Sequence, residues 1–402
     1  MMDAIVLDGE QRSALAVTRS LGRKGIKVIV GSGKKISLAS CSRYCATSFQ
    51  YPSPYDDPVG FINTLLEYVI KCRHSVLFPM TDVTLTEILL RRKEFPESTL
   101  IPFIEYDRYM EVTDKIRLFH LVRNLNVPVP PTFPSTEYDN HKSMMESIGN
   151  SEFPVVVKSN VSKIRTRNGW VNTKVLYAKD RTELSEILSQ DIFREYPFLV
   201  QKKIEGPGVG IFLLMRDGDV IARFAHRRIR EKPPSGGVSV LSESIEPPSD
   251  AMQSAIRILR ELHWSGIAMV EFKIDREQQL AKLLEINARF WGSLQLAISS
   301  GIDFPYLLFR MASEEKIEKS DGYRVGLRSR WELGDLDHLL IRLMRNDTKL
   351  NLSQGHPGRS TLMKDFLFDY FRASVKNEII QNDDRKPFYH ELKEYIRHIV
   401  RK

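Results

Sequence analysis

Cysteine is scarce in this chain of 402 residues. The three present, Cys41, Cys45 and Cys72, are too few for a disulfide framework. No further Cys or His clusters beside Cys41 and Cys45, so reduced thiols are expected rather than a metal site. No apolar run approaches the ~18 residues that cross a bilayer. The opening stretch, MMDAIVLDGEQ, lacks the basic start and long apolar segment of a secretion signal and reads as a short buried strand. A cytoplasmic protein is expected. Nucleic-acid motifs are also missing. The net charge is +8, but the 59 Lys and Arg are spread along the chain. A phosphate-rich small ligand and a solvated basic surface explain this better than nucleic acid.

Glycine is wrongly spaced for two phosphate loops. In GSGKK, residues 31–35, a Walker A loop would need Gly where Val28 stands and Ser or Thr where Lys35 stands. A dinucleotide loop would need Gly in place of Ile36. The stretch reads as a glycine-rich turn after a strand.

What is present is the balance of a folded domain, 42% hydrophobic and 27% charged residues, at a length that suggests two or three units. Segments 3–8 and 26–30 are β-rich, and SALAVTRSLGRKG between them has helical spacing, with Ser13 as the expected N-cap and Gly25 as the stop. Such a β-α-β unit begins a parallel sheet. SVLFPMTDVTLTEILL repeats the pattern with a strand at 75–79. Residues 1–112 are read as one α/β domain. From Thr113, expected to cap a helix reaching Asn126, the character changes to a mixture of α and β with hairpins. After about residue 313, apolar residues recur at helical spacing in charged segments such as DLDHLLIRLMRN. Basic amphipathic helices of this kind lie on membranes in some proteins; packing on the body of the protein is the expectation here, with dimer contact next.

One stretch poses a chemical question. VEFKIDREQQLAKLLEINARFWGS carries Glu271 and Glu285 in two apolar runs, 267–274 and 281–287. If these are antiparallel strands turning near Gln278, the two acids face each other, which destabilises a sheet unless a positive charge lies between them. Period two puts Glu285, Asn287 and Arg289 on one face, with Leu284 and Ile286 in the core. Two carboxylates and an amide oxygen suit Mg²⁺, which shares its remaining positions with phosphates. An arginine beside them would stabilise a transferring phosphoryl group. On these residues alone, an edge hairpin with surface salt bridges remains open.

The wider pattern resembles the ATP-grasp superfamily, the ligases that include biotin carboxylase, the carbamoyl-phosphate synthetase large chain and D-alanine–D-alanine ligase. The likeness covers about residues 1–312 and is strongest at 113–130, 153–158 and 199–305. It rests on TDKIRLFHLVRNLNVPVPPT, PVVVK, VQKKIEG, the Glu271/Glu285 pair with Asn287 and Arg289, and GIDFPYLLFRMA, in that order. The resemblance implies an ATP-grasp domain at 113–312, with a lid at about 128–202, after the small parallel-sheet domain, and a mainly helical region at 313–402. It implies ATP and Mg²⁺ (two ions, with Mn²⁺ open). Lys115 and Lys158 would meet the nucleotide. Gln201, Lys202, Lys203, Ile204 and Glu205 would hold adenine and ribose. Glu271, Glu285 and Asn287 would hold the metal, and Arg289 would be the catalytic arginine. Gln201 replaces an acid of the family linker, and SNVSKIRTRNGW, with one glycine, replaces the glycine-rich lid. Ser162, Lys163, Arg165 and Arg167 would cover phosphates by charge instead.

The implied chemistry activates a carboxylate as an acylphosphate for attack by an amine. A biotin-carboxylase-like use of bicarbonate and a non-catalytic ATP-binding regulator are the alternatives. Small-molecule acid and amine substrates are the expected partners, and a homodimer is left open. In AHRRIREKPPSGGVSV, alternation is expected to put Arg228 and Arg230 on one strand face for a substrate carboxylate, with Gly236 and Gly237 permitting close backbone approach. The turn LDGEQRS is a further candidate for the substrate side.

Overall fold

The structure is a computed structural model that describes residues 2–72, 74–166, 169–320, 322–346, 350, 352 and 356–400. Short β-branched runs and amphipathic helices alternate through its first hundred residues. They form β1 (Asp3–Val6), α1 (Arg12–Arg23), β2 (Val28–Ser32), β3 (Cys45–Gln50), α2 (Pro58–Ile70), β4 (Ser75–Phe78), α3 (Asp82–Leu90) and β5 (Thr99–Leu100). The strands make a parallel sheet in the order β3-β2-β1-β4-β5. In such a sheet, ligands are taken at the carboxyl edge. Helix α1 begins at Arg12, one residue before the expected cap, and Gln11 at its N-cap makes no side-chain cap.

Helices α4 (Tyr106–Thr113) and α5 (Lys115–Asn124) follow. The cap of α5 is Asp114 rather than Thr113: its carboxylate accepts from the N–H groups of Ile116 and Arg117 at 2.9 and 3.1 Å. Next come β6 (Thr132–Pro134), α6 (His141–Ser147), β7 (Val155–Ser159), the hairpin β8 (Lys163–Thr166) and β9 (Gly169–Asn172), β10 (Leu176–Ala178), α7 (Arg181–Leu188), α8 (Asp191–Glu195) and β11 (Phe198–Lys202). Strands β10-β7-β11-β6 form an antiparallel sheet with its own core, including Met144, Val155, Val157, Leu184 and Phe198.

The largest sheet is built from β12 (Gly208–Arg216), β13 (Asp219–Lys232), β14 (Val238–Ser244), β15 (Gly266–Asp275) and β16 (Leu280–Asn287), with α9 (Ser249–Glu261), α10 (Leu294–Ser300) and α11 (Phe304–Ala312). Its core is continuous with that of the parallel-sheet region, running from Ile5 and Phe78 through Tyr109 and Val122 to Phe212 and Trp264. Two bodies result, one large and one the smaller 132–202 sheet, and the cleft between them holds the candidate site.

The C-terminal region is helical, as expected, with α12 (Glu332–Met344), α13 (Arg359–Phe371) and α14 (Lys386–Val400). It also adds β17 (Arg328–Arg330) and β18 (Val375–Asn377) to the large sheet, whose order is β16-β15-β12-β13-β14-β17-β18. This region packs on the body through buried charge. Arg19 of α1 meets Asp384 at 2.9 Å, both side chains 1% exposed, and donates to the carbonyls of Glu378 and Ile379. Removing one partner of a buried pair strands the other charge, at a cost of about 3–5 kcal/mol. Asp384→Ala is therefore expected to lower unfolding free energy by about that amount in urea titrations, with Asp384→Asn milder; a loss below ~1 kcal/mol would remove Arg19–Asp384 as the tie between the C-terminal region and α1.

Candidate active site

Strands β15 and β16 pair with Glu271 directly opposite Glu285. The register slips once, between Glu271 and Phe272, so that Phe272 pairs with Leu283. This irregularity corrects one expectation. Leu283 is buried, whereas Leu284 is left unpaired and half-buried; both line a small crevice with Lys115, Lys158 and Gln201. Bulges commonly re-aim side chains in this way near sites. Ile286 is buried as expected.

The opposed acids are compensated from three directions. Arg228 of β13 contacts Glu271 and donates to Glu231 at 2.9 Å. Lys115, at the start of α5, donates to Ser162 Oγ at 3.1 Å. Lys158 of β7 donates to Gln201 Oε1 at 3.0 Å. Asn287 Nδ2 lies 3.3 Å from Glu271 Oε1 and 3.4 Å from Glu285 Oε1. Burial raises the Glu271 pKa, and Glu285 across the ladder adds to this, against the pull of Arg228. Burial pushes Glu285 the same way, but Lys115, Lys158 and Arg228 outweigh it and hold the carboxyl below its ordinary value. Burial brings Lys158 down to about 8, opposed by Glu285 and reinforced by Lys115.

Arg289 donates to Asn287 Oδ1 at 3.3 Å and pairs with Asp82 at 2.9 Å. Asp82 opens α3 of the parallel-sheet region, and sequence reasoning did not single it out. Its only signal was position: an acid in the strand-to-helix turn at a carboxyl edge. Burial opposes the Arg289 charge, but Asp82 holds its pKa above the ordinary value. Lys115, Glu285 and Asn287 share with Asp82, Tyr109 and Lys163 a cleft of about 140 Å³.

The linker after β11 follows Gln201, which lines the small crevice with Lys115 and Lys158. Lys203 N–H is committed to Pro154 O at 2.9 Å, and Ile204 O accepts from Lys273 at 3.0 Å. Ile204 N–H has no partner in the chain among the described residues. Lys203 pairs with Glu205 at 2.7 Å, and the second Glu205 oxygen is buried with no hydrogen-bond partner among the described residues. Lys202 turns to the Ser151 carbonyl at 3.0 Å.

The arginine expectation needs correction. Arg228 and Arg230 do not share a face, because the ladder between β13 and β14 is irregular at those residues. Arg228 faces Glu271, whereas Arg230 is 6% exposed and bound to Asp335 at 2.6 Å and Asp369 at 2.8 Å. Arg230 is thereby committed to α12 and α13 instead of a substrate. Gly236, at φ +127°, lies against Tyr177 of the smaller sheet. A side chain at Gly237 would strike the Lys232 carbonyl at 2.3 Å. Gly237 thus serves tight backbone packing, and Gly236 a positive φ.

Hairpin β8–β9 occupies the position expected of a glycine-rich lid, and it is anchored. Arg165, expected to cover phosphates, donates to Glu87 of α3 at 2.8 Å, and Trp170 Nε1 donates to the same carboxylate oxygen at 2.9 Å. Trp170 N–H donates to Tyr55 O at 2.9 Å, and a side chain on Gly169 would meet that oxygen at 2.1 Å. Lys163 lines the cleft; Arg167 lies outside the described residues.

The assembly defines the chain as a protein of ATP-grasp fold, as the motif order implied. Residues 194–332 match the family model described as ATP-grasp in the biosynthetic pathway with Ter operon. No curated protein matches the sequence. Among solved structures, N5-carboxyaminoimidazole synthetase from Staphylococcus aureus complexed with ADP is similar over 82% of each chain, at 15% identity and a TM-score of 0.62. A biotin carboxylase complex with β-γ-ATP from Campylobacter jejuni is similar over 82% of this chain and 74% of the other, at 15% identity and a TM-score of 0.61. L-amino acid ligase from Bacillus licheniformis is similar over 78% and 74%, at 14% identity and a TM-score of 0.56.

Glu87 is 2% exposed and Arg165 half exposed, so water screens the arginine contact and the Trp170 bond carries more of the hold. Glu87→Ala is expected to raise amide hydrogen exchange across 163–172 by about tenfold, the scale of one lost hydrogen bond to a charged group. Unchanged exchange there would mean that the hairpin is held by something else.

Proposed function

We propose that this chain is an ATP-dependent ligase that activates a carboxylate as an acylphosphate and passes the acyl group to an amine. The observation that carries the reading is the Glu271–Glu285 pair, opposed in register with Asn287 beside it and surrounded by Lys115, Lys158, Arg228 and Arg289. Two facing acids repel, and a fold that buries them among four cations suits the binding of a metal and phosphates. The donor set fits magnesium. Two carboxylates and an amide suit an ion that takes few protein ligands and completes its shell with phosphate oxygens. Glu271, Glu285 and the Asn287 amide would hold Mg²⁺, two ions in this reading, which would supply charge neutralisation and alignment of the phosphates.

In this reading the 1–112 domain, the 113–312 domain with its lid at about 128–202, and the 313–402 region enclose one cleft. The free Ile204 N–H faces adenine, and the linker from Gln201 to Glu205 holds the nucleoside. Lys115 and Lys158 bear on the phosphates. A substrate carboxylate oxygen attacks the γ-phosphorus, the bond to the ADP oxygen breaks, and Arg289 steadies the charge in transit. The amine then attacks the acyl carbon, gives up a proton, and inorganic phosphate leaves with the C–O electron pair. An acylphosphate hydrolyses readily, so the anchored β8–β9 hairpin would serve by excluding water.

The test is ADP release by the full chain with Mg-ATP and panels of carboxylates, with and without amines. ADP that requires both substrates and disappears in Glu285→Ala is the expected result. ADP formed with bicarbonate alone would replace the reading with a carboxylase, and nucleotide binding without turnover across the panel would leave a regulator. The Lys158 pKa of about 8 adds a second expectation. Phosphates favour its charged form, so nucleotide affinity should hold below pH 8 and fall above it, by at most about tenfold per pH unit. Calorimetric titration should show proton uptake on binding near pH 8–9, and Lys158→Met should abolish the slope.

A further inference from the structure

Beyond Arg289 and Lys163 the cleft opens into a second cavity of about 490 Å³, within the range of roughly 300–1,000 Å³ typical of small-molecule sites. Its far wall is Trp331 and α14, where Glu391 accepts from Trp331 Nε1 at 2.8 Å. Asp82 and Lys163 line both this cavity and the cleft at the acids. The Asp82–Arg289 pair therefore stands at the junction of the two spaces, and whatever fixes Asp82 fixes Arg289 for both.

The group that fixes it is Asp8, in the turn after β1 and 7% exposed. Its Oδ2 accepts three hydrogen bonds from the start of α3: from the N–H groups of Met80 and Thr81, each at 2.9 Å, and from Thr84 Oγ1 at 2.6 Å. These donors lie on both sides of Asp82 in the chain. Thr81 and Thr84 also cap α3 reciprocally, so Asp8 ties that capping box to β1. The Asp8 N–H donates to the Tyr51 hydroxyl at 2.8 Å. The backbone at Asp8 has φ +55°, a left-handed conformation that costs energy for any residue but glycine and persists where the surroundings impose it. Among the described residues no Lys, Arg or His pairs with this carboxylate. The titratable groups that face it are Tyr51, Tyr55 from the same loop and Glu10 from its own turn. Burial raises the Asp8 pKa to about 6 and Glu10 adds to this, against the donors at 80, 81 and 84.

We infer that Asp8 is a positioning residue: its ionised carboxylate locks the turn between β4 and α3, the turn aims Asp82, and Asp82 holds Arg289 beside the acids. Hydrogen bonds to an ionised acceptor are about twice as strong as neutral ones, so the lock weakens when Asp8 takes up a proton. The placing of Arg289 rests on this geometry alone; its consequence for phosphate rests on the ligase reading.

Two readouts on the full chain separate these. The first is protection of the Arg289 Nε–H from solvent exchange, followed by nuclear magnetic resonance, with the signal assigned by its absence in Arg289→Lys and rates referred to free arginine at each pH. Asp8→Asn keeps the shape and removes the charge, while Asp8→Gly suits the positive φ and removes the side chain. Both should lower the protection by about tenfold, the scale of one lost hydrogen bond to a charged group. The unsubstituted chain should lose protection as pH falls through about 6, a step absent from Asp8→Asn. The second readout is affinity for Mg-AMP-PNP against Mg-ADP. Asp8→Asn should weaken the triphosphate analogue by about tenfold and leave ADP unchanged. A merely structural Asp8 would lower the melting temperature and weaken both nucleotides alike, without moving the Arg289 signal. Protection unchanged in both variants, or a flat pH profile in the unsubstituted chain, would overturn the inference. Protection lost while the triphosphate analogue binds as before would leave the positioning role standing, and would take Arg289 away from the phosphates and the ligase reading with it.

Discussion

Two carboxylates held face to face across an antiparallel ladder set the terms for the rest of this structure. Glu271 and Glu285 repel, and their strands sit in the middle of an apolar region where repulsion is poorly screened. Each neighbouring element answers with a cation: Arg228 from β13, Lys115 from α5 and Lys158 from the smaller sheet. The two acids do not titrate alike, Glu271 being raised and Glu285 lowered. Their protons belong to the pair, and the side of the pair that faces Lys115 and Lys158 is the one that keeps its charge. The compensation also ties together bodies with separate cores, since Lys158 belongs to the smaller sheet and the acids to the larger.

The parallel-sheet region closes the other side. Asp82 holds Arg289, and Glu87, one and a half turns further along α3, holds Trp170 and Arg165 of the hairpin. A single helix thus positions both the arginine beside the metal-type acids and the cover above them. This gives physical content to the shortage of glycine in the lid. Glycine-rich loops grip phosphate by backbone approach, whereas this hairpin is fixed by side chains and keeps its one described glycine, Gly169, for the contact with Tyr55.

The acids, their register and the lysines could be read in the sequence because they depend on local periodicity and on motif order. Residues at spacing two along a strand declare their own faces. The errors came where that periodicity breaks. The slip beside Glu271 left Leu284 unpaired and half-buried, and the irregularity between Arg228 and Arg230 sent one arginine to Glu271 and the other into a buried cluster with Asp335 and Asp369. Neither irregularity has a turn residue or glycine to announce it. Asp82, Glu87 and Glu391 were illegible for a different reason: each acquires its meaning from a partner between 60 and 207 residues away.

That division separates two kinds of chemistry in the molecule. Lys115, Lys158, Glu271, Glu285 and Asn287 lie on strands and a helix start within 113–289, so their arrangement follows from local order. The cavity beyond Arg289 is assembled from the turn after β1, the start of α3, Trp331 and α14. None of these is adjacent in sequence, and the wall contributed by α14 is held to α1 through Arg19 and Asp384, immediately before that helix. The buried pair that secures the C-terminal region therefore also fixes where Glu391 stands. Arg19 and Asp384 thus act on that wall of the cavity without lining it.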